Sequence, residues 1–135
     1  MSVVRSKRGV SEMEFLNTAR QLELFTMRKC KNAIPKSYTF YLGQPLALSA
    51  VAVYSNAKKG NSIYPLNPYE IQMRRSYFLK ACAELESLAS QIEVVNELCS
   101  LSPAAMEEWS HLIYTEMTLL KGVMEKDRRR YKNIE

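Results

Sequence analysis

Residues 67–99 read NPYEIQMRRSYFLKACAELESLASQIEVVNELC. Asn67 is a good N-cap residue, Pro68 falls at the first helical position and Glu70 stands three residues after the cap, the pattern that opens a helix. Behind that start, Ile71, Phe78, Leu85, Ile92 and Cys99 recur every seventh residue, and Ala81, Leu88 and Val95 occupy a second seam position. Only Arg74 breaks the second series. A heptad sustained this long belongs to a helix packed lengthwise against other helices, in a bundle or a coiled coil.

Toward the C-terminus, Leu101-Ser102-Pro103 stops this helix and caps another. Met106, Trp109, Ile113, Met117, Leu120 and Val123 carry that helix to about Lys132. Each of these two helices spans ~45 Å at about 1.5 Å per residue. Toward the N-terminus, Lys58 to Pro65 (KKGNSIYP) reads as a loop, and Lys36 to Lys59 precedes it. No charged residue lies between Lys36 and Lys58, and Tyr38, Phe40, Tyr41, Leu42, Leu46, Leu48, Val51, Val53 and Tyr54 fall on all sides of a helical wheel. A helix apolar all round must be covered all round, and burial between subunits accounts for it better than a membrane does. Pro45 removes one backbone donor, so it bends this helix or delays its start. The first helix is expected from the capping box Ser11-Glu12-Met13-Glu14 to Pro35, with Phe15, Leu16, Ala19, Leu22, Met27, Cys30, Ala33 and Ile34 on one stripe. Glu23 falls inside that stripe and is expected to pair with Arg74, the other charge on a seam.

The expected organisation is therefore all-α: a basic arm at 1–10, helices at about 11–34, 36–59, 68–100 and 103–132, and a tail at 133–135. Short connections favour an antiparallel up-down-up-down four-helix bundle. The chain has 135 residues and is 47% hydrophobic, enough for one domain with a real core. Cys30, Cys82 and Cys99 show no metal or redox spacing and read as small core residues in a reducing compartment. No apolar segment follows the basic N-terminus, so a secretory signal is not expected and the chain is placed in the cytoplasm.

Charge is segregated along the chain. Residues 1–80 hold thirteen Lys/Arg against four Asp/Glu, residues 81–120 hold none against seven, and residues 121–135 hold six against three. An up-down bundle gathers Arg5, Lys7 and Arg8, Lys58 and Lys59, Arg74, Arg75 and Lys80, and Lys121, Lys126, Arg128, Arg129, Arg130 and Lys132 at one pole. Glu84, Glu86, Glu93, Glu97, Glu107 and Glu108 lie toward the other. Such a pole suits phosphates, and its affinity should fall steeply with salt. The candidate nucleic-acid-binding residues are Lys58, Lys59, Arg74, Arg75, Lys80, Lys126, Arg128, Arg129 and Arg130. Tyr64, Tyr69, Tyr77 and Tyr131 lie near them, as packing residues or as platforms for unstacked bases. His111 has no metal-spaced partner, the four glycines form no phosphate-cradling loop and no nucleophile motif is present, so neither catalysis nor a metal or cofactor is expected.

Three stretches carry a family likeness: the Ile34-Pro35-Lys36 junction running into SYTFYLGQPL, the block NSIYPLNPYEIQMRRSYFLKACAELESLASQIE, and the tail LIYTEMTLLKGVMEKDRRRY. Together they resemble the Avd-like four-helix-bundle proteins, the accessory variability determinants of diversity-generating retroelements. These are related to bundle proteins encoded in intervening sequences of large-subunit ribosomal RNA genes. The likeness runs from about Ser11 to Tyr131. It implies a basic, non-catalytic homopentameric barrel that binds the element's reverse transcriptase and its template-repeat RNA and supports mutagenic cDNA synthesis. It assigns the contacts to Arg74 and Arg75 in QMRRSYF and to the basic tail through Arg130. The alternatives are a ribosomal intervening-sequence bundle protein and a protein-binding scaffold that uses the acidic face.

Overall fold

The structure, a computed structural model, describes the backbone of residues 2–134 and the side chains of residues 13–134. It is an all-α, four-helix domain: α1 (Ser2–Asn32), α2 (Gln44–Asn61), α3 (Pro68–Cys99) and α4 (Pro103–Arg130), with no strand among the described residues. Helix α2 packs on α1 and α3, and α4 packs on the same two.

The two C-terminal helices follow their sequence signals closely. Asn67 Oδ1 accepts from the Glu70 amide at 2.9 Å, and Glu70 Oε1 reaches back to accept from the Leu66 amide at 2.7 Å. The start of α3 is thereby closed from both directions. At its other end Ser100 adopts a left-handed φ of 52°, its amide bonds the Asn96 carbonyl at 2.9 Å, and the Asn96 side chain accepts from the Leu101 amide at 3.1 Å. Ser102 Oγ then caps α4 through the Ala105 amide at 3.1 Å. The two helices end at Cys99 and Arg130, one and two residues earlier than expected.

The N-terminal half departs from expectation in three places. Helix α1 runs from Ser2, so the backbone of residues 2–10 is helical and continuous with the helix expected from Ser11. No proline interrupts the ladder before Ser11, and a capping sequence does not start a helix where the preceding turn already supplies the bonds. The helix ends at Asn32, before Ile34, because the residue preceding Pro35 is driven out of the α region. The expected helix over 36–59 is three pieces: a 3-10 turn at Lys36–Tyr38, a π-helical turn at Thr39–Gly43, and α2 itself, which runs on to Asn61 through the start of the expected Lys58–Pro65 loop. Pro45 is the cause. It has no N–H to give to the carbonyl four residues back and its ring crowds that carbonyl, so the ladder widens and the Gln44 amide bonds the Thr39 carbonyl instead.

The core lies along the predicted seams. Phe78, Ala81, Leu85, Leu88, Ile92 and Val95 of α3 are buried, facing Phe15, Leu16, Ala19, Leu22 and Phe25 of α1 and Leu46, Ala50, Val53 and Ala57 of α2. Each large side chain fully buried here stabilises the fold by about 1.5–3 kcal/mol. Phe15 meets Phe78 edge to face at 5.7 Å. Trp109 of α4 packs on Phe25 at 5.7 Å and donates its indole N–H to Thr26 Oγ1 at 3.0 Å, so its polar edge is satisfied. Met27 is exposed, and the three cysteines are half-buried at the edge of the core. Burial raises the Cys30 and Cys82 thiols above their ordinary range.

Gly60 closes α2 against α3. A Cβ there would stand 2.7 Å from the Phe78 ring. Phe78 is fully buried and has no room to withdraw, so Gly60→Ala should cost about 1–3 kcal/mol in chemical denaturation.

Glu116 is the unexpected member of the core. It follows Trp109 by seven residues and precedes Leu120 by four, on the buried seam of α4, and it is 0% exposed. Among the described residues neither carboxyl oxygen has a hydrogen-bond partner. Desolvation raises its pKa from an ordinary 4.5 to about 9, so the folded chain holds it as the neutral acid at pH 7. The unfolded chain ionises it near 4.5, so its effect on stability is most favourable below that pH. That favourable balance is lost progressively as pH rises toward 9, with a cost of about 3 kcal/mol at pH 7. Glu116→Gln should match the native chain in denaturant midpoint near pH 4 and exceed it increasingly between pH 5 and 9.

Candidate nucleic-acid interface

The cations singled out by sequence separate into one that the fold consumes and several that face solvent. Arg74 is the consumed one, 6% exposed. Its Nε and Nη2 donate to the Asp127 carboxylate at 2.6 and 3.1 Å, and its Nη1 donates to the Gly60 and Ile63 carbonyls at 3.2 and 3.0 Å. The guanidinium also lies 5.0 Å from the Phe78 ring centre. Arg74 thus joins α3 to the end of α2, the following loop and the end of α4. The expected partner Glu23 is half-exposed on α1 beside Arg20, and Asp127 of α4 takes the place assigned to it.

The remaining candidates are exposed: Lys58 and Lys59 at the end of α2, Arg75 and Lys80 on α3, and Lys126, Arg128, Arg129 and Arg130 in the last turns of α4. The structure brings four of them into two groups. Lys59 and Lys80 lie over the Tyr77 ring, at 5.8 and 5.1 Å from its centre, which joins the cations of α2 to those of α3. Arg75 and Arg128 line one cleft between α3 and α4, together with Ile71, Gln72, Met124 and Tyr131. Arg128 and Arg129 both reach Glu125 Oε1, at 2.7 and 3.6 Å, and the hydrogen bond from Arg128 holds that carboxyl below its usual range. The basic side chains expected from residues 5–8 lie outside the described side chains.

The opposite part of α3 and α4 is acidic. Glu86 and Glu93 edge a shallow groove of Ile92, Met106, Ile113, Met117 and Tyr114, while His111 is exposed beside Glu107 and Glu108. Among the described residues no cluster of His, Cys, Asp or Glu is spaced to hold a metal ion, and no helix is long and apolar enough to cross a membrane.

The uncharged segment before and within α2 is covered on one side only. Leu46, Ala50, Val53 and Ala57 are buried, whereas Phe40 and Tyr41 are each 72% exposed and Leu48 is 61% exposed. The apolar groups expected on all sides of one helix are divided: Phe40 and Tyr41 stand in the π-helical turn before α2, and within α2 Leu48 and Val51 face outward while the bundle buries the opposite side.

Sequence reasoning missed Asp127 as the partner of Arg74, Gln72 as a cleft residue and Glu116 as a core residue. Asp127 was masked by the cations around it in KDRRRY. Glu116 was detectable from its seven-residue spacing after Trp109. Because Arg74 is buried and bidentate, Arg74→Met and Asp127→Asn should each lower stability by about 3 kcal/mol, whereas Arg75→Met should change it by less than about 0.5 kcal/mol. Arg74→Lys should fail to restore the loss, since an ammonium cannot span the carboxylate and two carbonyls. No protein-family model matches the chain, and no curated protein or solved structure matches it.

Proposed function

We propose that the chain is an Avd-like accessory protein of a diversity-generating retroelement, a cytoplasmic, non-catalytic bundle that binds nucleic acid and the element's reverse transcriptase. The observation that carries this reading is the gathering of solvent-facing cations from α2, α3 and α4 around Tyr77 and the α3/α4 cleft. Lysine and arginine placed this way neutralise successive phosphates and release counterions, a binding mode that needs no base-specific contact. The four helices run up-down-up-down in this reading. The junctions from Arg74 to Gly60 and Asp127, and from Trp109 to Thr26, support that order. The bundle assembles as a homopentamer. Exposed Phe40, Tyr41 and Leu48 favour self-association, because a patch of large apolar side chains without charge is costly to leave in water. Five copies of the basic surface multiply its field and give avidity for a long template-repeat RNA.

A second reading, a protein-binding scaffold, is favoured by the acid-edged groove of Met106, Ile113 and Met117. Sedimentation of the purified protein with and without structured RNA, over a salt series, separates the two. The accessory reading expects a pentamer-sized species whose RNA affinity falls linearly in log–log form with salt. It also expects that Arg75→Glu combined with Arg129→Glu abolishes binding at moderate salt. A monomer or dimer indifferent to RNA would favour the scaffold. A reverse transcriptase gene beside this one distinguishes the retroelement role from that of a ribosomal intervening-sequence bundle protein.

A further inference from the structure

The cleft between the start of α3 and the end of α4 has the composition of a nucleotide site. Its volume is about 300 Å³, at the small end of the range for ligand pockets. Ile71 and Met124 supply apolar surface, the Tyr131 ring flanks it, and the Gln72 amide offers both a donor and an acceptor. Four charged residues line it. Arg74 and Asp127 neutralise each other at 2.6 Å, which leaves Arg75 and Arg128 as cations facing solvent. The bond from Arg128 to Glu125 is solvent-exposed on both sides, and a pair of that kind exchanges readily for a phosphate.

An apolar, aromatic-flanked cleft with an amide at its wall and two guanidiniums beside it matches the parts of a nucleotide: a flat base with polar edges, and a charged phosphate. A base stacked inside a duplex cannot enter such a cleft, whereas an unpaired base can. We propose that the α3/α4 cleft seats one unstacked nucleotide of a single-stranded nucleic acid, the base against Ile71, Met124 and Tyr131 and the phosphate between Arg75 and Arg128. This rests on the nucleic-acid reading of the basic surface and adds a selectivity that charge alone does not give. Gln72 lies in both this cleft and the shallow surface of Tyr69, Met73, Ser76, Tyr77 and Lys80 on α3. A strand leaving the cleft therefore runs directly toward the cations around Tyr77.

The test compares a short fluorescein-labelled oligouridylate with a blunt RNA duplex of the same length, by fluorescence anisotropy at one fixed salt concentration. The probes are titrated into the native chain, Gln72→Trp and the control Tyr114→Trp, with thermal melts to show that each variant folds. Gln72→Trp fills the cleft from an exposed helical position without changing charge. It is expected to weaken single-strand binding about tenfold, in line with the loss of one base contact, while duplex binding stays within about twofold and Tyr114→Trp behaves as the native chain. As a second measurement, uridine monophosphate should displace the oligouridylate at a concentration at least about tenfold lower than inorganic phosphate. Equal weakening of both probes, no weakening of either, or equal displacement by the two competitors would overturn the nucleotide seat while leaving the basic surface as a phosphate binder. Failure of the native chain to bind either probe would overturn the nucleic-acid reading itself.

Discussion

The buried guanidinium of Arg74 is the constraint on which the surrounding structure depends. A charge taken out of water must be repaid in full by hydrogen bonds, and Arg74 finds them on the carboxylate of Asp127 and the carbonyls of Gly60 and Ile63. These partners belong to α4, to the end of α2 and to the loop after it. Satisfying one side chain therefore brings three remote segments to the first turns of α3. Gly60 makes the approach possible, because its missing side chain lets the α2 backbone rest on Phe78 close enough to present its carbonyl.

The same junction organises the surface. Segments that meet at Arg74 also carry Lys59, Arg75, Lys80 and Arg128. Cations far apart in sequence become neighbours for a reason unrelated to their own charge. Consecutive helical residues differ in direction by about 100°, and this divides the Arg74-Arg75 pair into a structural member facing inward and an exposed member facing the cleft.

Much of the bundle was legible in sequence, and the reason differs by element. Helix α3 is read almost to the residue because its cap, its proline and its heptad are local and agree with one another. The same holds for the start of α4. The segment before α2 was harder. After Lys36 it is uncharged and its large apolar residues fall on all sides of a helical wheel, so periodicity carried no phase, and only the chemistry of Pro45 marked where the α-helix begins. The Glu23–Arg74 pairing failed because two charges lying on seams need not meet: helix register decides which of several acids arrives, and Asp127 stood hidden in a run of cations. Of the candidate interface, the exposed positions were readable from charge order. The seam position of Arg74 already set it apart from the others, whereas its partner Asp127 required the packing, as did the cleft, which is built from residues on two helices that no local pattern links.

Glu116 gives the folding reaction a chemical character of its own. In water the carboxylate is ionised at neutral pH, and in the core it is a neutral acid without a hydrogen-bond partner among the described residues. Folding under those conditions is therefore a proton-uptake reaction, with the solution as the source. The heat of unfolding measured by calorimetry then includes the ionisation enthalpy of whatever buffer receives the released proton. Two buffers of different ionisation enthalpy, at the same pH and the same protein concentration, would report different enthalpies for one unchanged structure.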